Sequence, residues 1–242
     1  MACRSGLNYL AKKIILELQK VSKYYLMGET KCGALDEVDL KIYAGESMVI
    51  MGPSGSGKST MLHLLGCLDK PTRGKIFLDG IDTAKLTEAE LAKVRGQKIG
   101  FVFQFFFLMP TLNSVENVEL PMLFNGLSAE ERRSRAIELL KKVGLGDRLW
   151  HTPSQLSGGQ RQRVAVARAL ANDPVMILAD EPTGNLDSKS GHEILKLFEE
   201  LRKKENKTVV LVTHDPDLIH HAERVVHLKD GRIESDEKGG LK

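Results

Sequence analysis

The chain has 242 residues, enough for one domain with a sizeable hydrophobic core. Hydrophobic residues make up 42% and charged residues 28%, a globular balance that excludes a disordered chain. With 35 Lys and Arg against 32 Asp and Glu, the net charge of +3 is too even to argue for nucleic acid or an anionic membrane as a partner.

Residues 1–13 read as an N-terminal extension without the long apolar segment of a signal peptide. No apolar run approaches the roughly 18 residues of a membrane span. Cys3, Cys32 and Cys67 form no CxxC pair, so neither a disulfide framework nor a zinc site is expected, and a reducing compartment fits. From Ile14, "IILELQKVSKYY" reads as a strand running into a loop. Val38, Leu40 and Ile42 alternate with polar residues as in a half-exposed strand, and "SMVIM", after Ala44-Gly45, is apolar throughout as in a strand buried on both faces. "GKIFLDG" and "KIGFVF" are further strands. "SVENVELPMLF" and "SAEERRSRAIELLKKVG" have helical spacing, broken at Pro121 and Asn125-Gly126. The basic cluster Arg132-Arg133-Ser134-Arg135 reads as a solvated helix face. "SGGQRQRVAVARALAND" is a helix entered through glycines. "VMILAD" and "TVVLVTH" are apolar strands with the helical "SGHEILKLFEELRKKEN" between them, and "RVVHLKDGRIES" is a hairpin turning at Asp230-Gly231. This alternation predicts an α/β fold with a mostly parallel sheet flanked by helices. The expected organisation is a single domain over 14–242, with a core of about 14–104 and 166–235 and a helical insertion of about 105–165.

Four stretches carry chemistry. The first is Met51 to Thr60, "MGPSGSGKST", between a buried strand and a helix. Gly52, Gly57, Lys58 and Ser59 fit the phosphate-loop pattern G-x-x-x-x-G-K-[ST] in the context it requires. Its glycines let the backbone of Gly52, Pro53, Ser54, Gly55, Ser56 and Gly57 wrap an anion, and the helix adds its positive N-terminal end. Lys58 reaches the β- and γ-phosphates, and the Ser59 hydroxyl ligates Mg²⁺, which prefers hard oxygen donors. The second is Asp180-Glu181, closing the apolar "VMILA". Acids at the C-terminal edge of a parallel strand face the ligand crevice of such sheets. Asp180 would hold Mg²⁺ through water, and Glu181 would orient and polarise the attacking water. The third is Leu156-Ser157-Gly158-Gly159-Gln160, directly before a helix, where Ser157 is a good N-cap and the glycine amides suit an anion. The fourth is His214, after "TVVLVT", a donor for a γ-phosphate oxygen.

Together these stretches resemble the ATP-binding cassette (ABC) ATPases over nearly the whole chain, from about Ile14 to Glu234. The spacings agree: Lys58 to Ser157 is 99 residues, Ser157 to Asp180 is 23, and Asp180 to His214 is 34. The resemblance implies a P-loop, RecA-like core with an N-terminal antiparallel portion and a helical subdomain. It implies that ATP and Mg²⁺ are the cofactors and that Glu181, Gln104 and His214 are catalytic. Gln104, ending "GFVFQ", matches the Q-loop glutamine, which contacts Mg²⁺ or the attacking water. Tyr25, with Tyr24 as the alternative, falls where an aromatic stacks on adenine; a plain surface tyrosine is the other reading. Asp187 in "GNLD" matches the loop that crosses the dimer interface. Family cassettes pair head to tail, each ATP lying between one copy's phosphate loop with Thr60 and the other copy's Ser157 to Gln160.

"GPSGSGKSTML", "NVELP" and "DEPTGNLDS" resemble the lipoprotein-release and macrolide-export branch, with the LolD-like, MacB-like and FtsE-like proteins. That implies a separate membrane permease, a second copy of this chain and a cytoplasmic place on the inner face of the membrane, with no nucleic acid. An FtsE-like force-transmitting regulator is the alternative, and a soluble cassette acting on DNA or ribosomes is disfavoured by the lack of a coiled-coil insertion or second cassette. Phe105-Phe106-Phe107 departs from relatives that carry polar residues there. It reads either as core packing or as a groove for the permease.

Overall fold

The computed structural model describes residues 12–28 and 30–241. Cys3 and all of the expected extension except Lys12 and Lys13 lie outside the described residues. In chain order the elements are β1 (Ile14–Met27), β2 (Thr30–Tyr43), β3 (Ser47–Met51), α1 (Lys58–Leu65), β4 (Arg73–Leu78), β5 (Ile81–Asp82), α2 (Glu88–Lys98), β6 (Ile99–Phe103), α3 (Ser114–Glu119), α4 (Ala129–Lys142), α5 (Gly158–Ala169), β7 (Met176–Asp180), α6 (Ser188–Glu205), β8 (Thr208–Thr213), β9 (Arg224–Lys229) and β10 (Arg232–Lys238). The fold is α/β. Two compact units divide it, Met1–Leu86 with Thr213–Lys242, and Thr87–Val212.

In the first unit β1 and β2 form a long antiparallel hairpin, and β4 and β5 extend it in the order β2-β1-β4-β5. Leu16, Leu18 and Val21 on β1 and Val38, Leu40 and Ile42 on β2 are buried, so the alternation in the sequence marks the inner face. β3 is buried at all five positions and pairs in parallel with β9. β9 returns antiparallel as β10. The turn between them has φ +48 at Asp230 and +75 at Gly231, both left-handed, as the predicted two-residue turn requires. Arg224 secures this hairpin. Its Nε and Nη2 donate to the two carboxylate oxygens of Asp236, each at 2.7 Å, and Nη1 donates to the Lys41 carbonyl at 2.7 Å and to Glu46 Oε1 at 3.3 Å. Glu46 is fully buried and also accepts from the Tyr43 amide at 2.8 Å.

In the second unit β6, β7 and β8 run parallel with β7 in the middle. Their apolar runs are continuous because both faces are covered. α2 is absent from the sequence reading above. It buries only Leu91, so no apolar period announces it; its signal is the Thr87/Glu90 capping box. α3 stops at Glu119, and a 3₁₀ turn, Leu120–Asn125, carries Pro121 in its first turn and ends at left-handed Gly126, as the sequence breaks predict. The basic cluster on α4 is only partly a solvated face. Arg133 is exposed, but Arg132 donates to the Leu127 carbonyl at 2.6 Å and Arg135 to the Ala171 carbonyl at 2.5 Å. The Leu127 carbonyl lies at the start of α4 itself, while the Ala171 carbonyl follows α5, 36 residues away, and is visible only in three dimensions. Among the described residues, Cys32 and Cys67 are free thiols, and no helix is long and apolar enough to cross a membrane.

Candidate functional site

In the first unit, β3 delivers the chain to the loop Gly52–Gly57 and α1 takes it away. Gly57 is the N-cap of α1 at φ +102, a left-handed conformation that a side chain would strain. A Cβ there would also meet the Ala34 carbonyl, and one on Gly52 would overlap the Leu228 carbonyl. α1 has no side-chain N-cap and no acid in its first turn. The five other α-helices among the described residues are each capped by a side-chain oxygen, from Thr87, Asn113, Ser128, Ser157 and Asp187. The first amides of α1 are therefore the ones left for an outside acceptor. Lys58 Nζ donates to the carbonyls of Gly52 at 2.7 Å and Pro53 at 2.9 Å, which keeps the ammonium against the loop. Ser56 is buried and its Oγ has no partner among the described residues. Pro53, Ser54, Gly55 and Ser59 are exposed, and Thr60 is half-buried. Tyr25 is 37% exposed; its hydroxyl donates to Asp69 at 3.1 Å, and Lys23 Nζ lies 5.1 Å from its ring centroid. Tyr24 is half-buried, with its hydroxyl 3.5 Å from Asp36. His214 is exposed just after Thr213, whose hydroxyl accepts from the Asp215 amide at 3.0 Å.

In the second unit, Asp180 ends β7 opposite Phe103 and Val212 in register. Glu181 follows at φ +43, left-handed and strained for a glutamate, and its amide donates to the Val212 carbonyl at 2.9 Å. Gln104 follows β6. Asn185 grips it twice: Gln104 Nε2 donates to Asn185 Oδ1 at 3.4 Å, and Asn185 Nδ2 donates to the Gln104 carbonyl at 3.0 Å. Gly184 permits this approach, since a Cβ there would fall 2.8 Å from Gln104 Nε2. Asn185 is missing from the sequence reading, although it stands inside the quoted "GNLD".

Ser157 caps α5 in a full capping box. Its Oγ accepts from the Gln160 amide at 3.2 Å, and Gln160 Oε1 accepts from the Ser157 amide at 2.9 Å. The cap uses an oxygen lone pair, so the hydroxyl proton can still be donated. Asp187 caps α6 without a reciprocal bond, accepting from the amide and hydroxyl of Ser190; those bonds hold its carboxyl below the usual carboxylate range. Gln162, one turn into α5, is fully buried. It donates to the Pro182 carbonyl at 2.7 Å, just past Glu181, and its Nε2 lies 3.5 Å from the Phe103 carbonyl, just before Gln104. Its helical spacing from the buried Val166 and Ala169 was its available signal.

The fit to the implied groups rests on these donors. The open start of α1 with Lys58 suits a phosphate chain. Among the described residues no three His, Cys, Asp or Glu side chains gather as a metal cage. Ser59 in the first unit and Asp180 in the second each carry a hard oxygen of the kind that Mg²⁺ prefers. The core-packing reading of the aromatic run fails in part: Phe105 is 67% and Phe107 61% exposed.

Comparison with known proteins agrees with this geometry. The model for the ABC transporter family matches residues 35–184. An uncharacterized ABC transporter ATP-binding protein of Thermotoga maritima is 56% identical, over 95% of this chain and 97% of its own. The macrolide export ATP-binding/permease protein MacB of a Shewanella species is 50% identical over 93% of this chain, which spans 34% of that longer protein. Among solved structures, a dimeric post-hydrolysis state of the ATP-binding cassette MJ0796 bound to ADP and Pi matches with a TM-score of 0.85 and 54% identity, covering 92% of this chain and 98% of that one.

Proposed function

The chain belongs to the ABC transporter ATP-binding proteins, and from that membership we propose that it is the ATP-hydrolysing subunit of an exporter of the macrolide-export or lipoprotein-release type. The observation that carries the nucleotide reading is the start of α1, the one described α-helix without a side-chain cap, placed directly after the phosphate-loop glycines. The backbone amides of that loop and Lys58 bind and orient the β- and γ-phosphates, with Thr60 beside them. Tyr25 offers a face to the adenine. Ser59, Asp180 and Gln104 are the groups that would hold Mg²⁺, which neutralises charge on the phosphate oxygens when bound. Glu181 orients a water and accepts its proton as the water oxygen bonds to the γ-phosphorus and the bond to the bridging oxygen of ADP breaks. Gln104 helps to place that water, and His214 donates to a γ-phosphate oxygen.

Two copies close over ATP head to tail. Ser157, Gly158, Gly159 and Gln160 of one copy complete the donor set around the nucleotide held by the other, and Asp187 lies at that junction. ATP then strengthens the dimer, and hydrolysis releases it. The relatives matched over nearly their whole length support a permease on a separate polypeptide, and the identity to MacB supports the exporter type. Exposed Phe105, Phe107 and Phe124, the last at 87%, support an apolar docking face for that permease, which would keep the cassette on the inner face of the membrane. Size-exclusion chromatography of Glu181→Gln tests the reading. The variant is expected to run as a dimer only with Mg-ATP and to hydrolyse at least about 100-fold more slowly. Hydrolysis at the wild-type rate would remove Glu181 from its role.

A further inference from the structure

The segment after Gln104 is strained. Phe106 has φ +61, and the Phe107 amide donates to the Phe105 carbonyl at 2.6 Å, a three-residue turn of the rare left-handed kind. Phe107 follows at φ +47. Bulky residues at positive φ persist only where their surroundings enforce it. Here one side chain binds both carbonyls of the strained pair. Arg168, in the last turn of α5, donates from Nη1 to the Phe107 carbonyl at 2.5 Å and from Nη2 to the Phe106 carbonyl at 2.7 Å. Among the described residues no carboxylate pairs with it, so these two carbonyls are its partners. The planar fork of a guanidinium suits two adjacent carbonyls, as a point-like ammonium does not. The same helix holds the turn from its other end, with Arg161 5.7 Å from the Phe106 ring centroid. On the near side of Gln104, Gln162 reaches towards the Phe103 carbonyl. Gln104 is thus bracketed by contacts from α5, the helix that begins at Ser157.

We propose that Arg168 is a positioning residue for Gln104: it clasps the strained Phe106–Phe107 turn and so fixes the place from which the Gln104 side chain reaches out. This rests on the role given to Gln104 above. The test compares steady-state ATP hydrolysis and amide hydrogen exchange in the full chain for Gln104→Ala, Arg168→Met, Arg168→Lys and the double variant Gln104→Ala with Arg168→Met. Arg168→Met is expected to lower kcat about tenfold with KM within about threefold, and Arg168→Lys to recover part of the loss. In the double variant the loss at Arg168 should vanish, leaving the Gln104→Ala rate. Exchange at Phe106 and Phe107 should rise about tenfold in Arg168→Met while the α5 amides stay as they were.

An equal Arg168→Met loss with and without Gln104 overturns the proposal, as does unchanged exchange in the turn or a uniform rise across the second unit. Should Arg168→Met not fold, Arg168→Lys is compared in the wild-type and Phe107→Gly backgrounds. Glycine relieves the strain, so the lysine loss should shrink there, and an equal loss overturns the clasp. Wild-type turnover in Gln104→Ala would instead overturn the role of Gln104, and exchange alone would then judge the clasp.

Discussion

Helices α1 and α5 begin in opposite ways. α1 starts at Gly57, which has no side chain to offer its first amides. α5 starts at Ser157, which takes the Gln160 amide while Gln160 takes the serine amide. Both starts are glycine-rich and both carry a positive helix end, so composition makes them look alike. The difference is whether the helix satisfies its own start. α1 leaves its first amides open to an outside acceptor. α5 is already finished, and offers a visiting group only a hydroxyl proton and the leftover glycine amides. That division suits one helix that binds ATP and one that senses ATP held elsewhere.

The largest expected break in this contrast is at α1. Lys58→Ala should lower hydrolysis by at least about 100-fold, by loss of a charged donor to the phosphates, without lowering Tm by more than a few degrees. Steady-state turnover beside a thermal melt separates the two effects. Next is Ser157→Asp. Aspartate is as good an N-cap as serine, so Tm should hold. Its charge would face the phosphates, and the ATP-driven dimer of Glu181→Gln should weaken at least about tenfold, read by size exclusion over an ATP series. A dimer as tight as before would mean that Ser157 only caps.

Glu46 extends the contrast to a buried charge that the fold must finish alone. Burial pushes its carboxyl up to about 7 despite the opposing effect of Arg224. The folded chain then holds this proton more tightly than the unfolded chain. Its contribution to stability is full below about pH 4.5 and is lost as pH rises through about 7. Glu46→Gln should therefore flatten the fall in Tm between pH 5 and pH 8; an unchanged slope would show that Glu46 does not titrate in that range. A smaller effect is expected at α2, where Thr87→Ala should cost about 1 kcal/mol in chemical denaturation and leave turnover alone. Smallest is Asp187→Asn at α6. The Asp187 carboxyl is held low, so its cap is full above the ordinary aspartate pKa and is lost only as pH falls through the lowered value. The asparagine variant should keep the cap, and its stability should differ from wild type only in acid, as an acid-unfolding midpoint would record.

Much of the chain was legible before folding because its signals are local. The phosphate loop is a fixed spacing of glycines and one lysine. β3, β7 and β8 are apolar runs, and Asp230-Gly231 is a turn whose residues tolerate left-handed backbone. Capping boxes are likewise written within four residues; α2 has one in Thr87 and Glu90 but lacks an apolar period. Tertiary structure alone decided which polar side chains hold which backbone. Asn185 and Gln104 are 81 residues apart, and Arg168 is 61 from Phe107. Arg133 is exposed and pairs with Glu119, while Arg135 binds the Ala171 carbonyl 36 residues away. Nothing in local spacing distinguishes such partners, because a hydrogen bond depends on where two segments meet, and strain at Glu181, Phe106 and Phe107 exists only once those meetings are enforced.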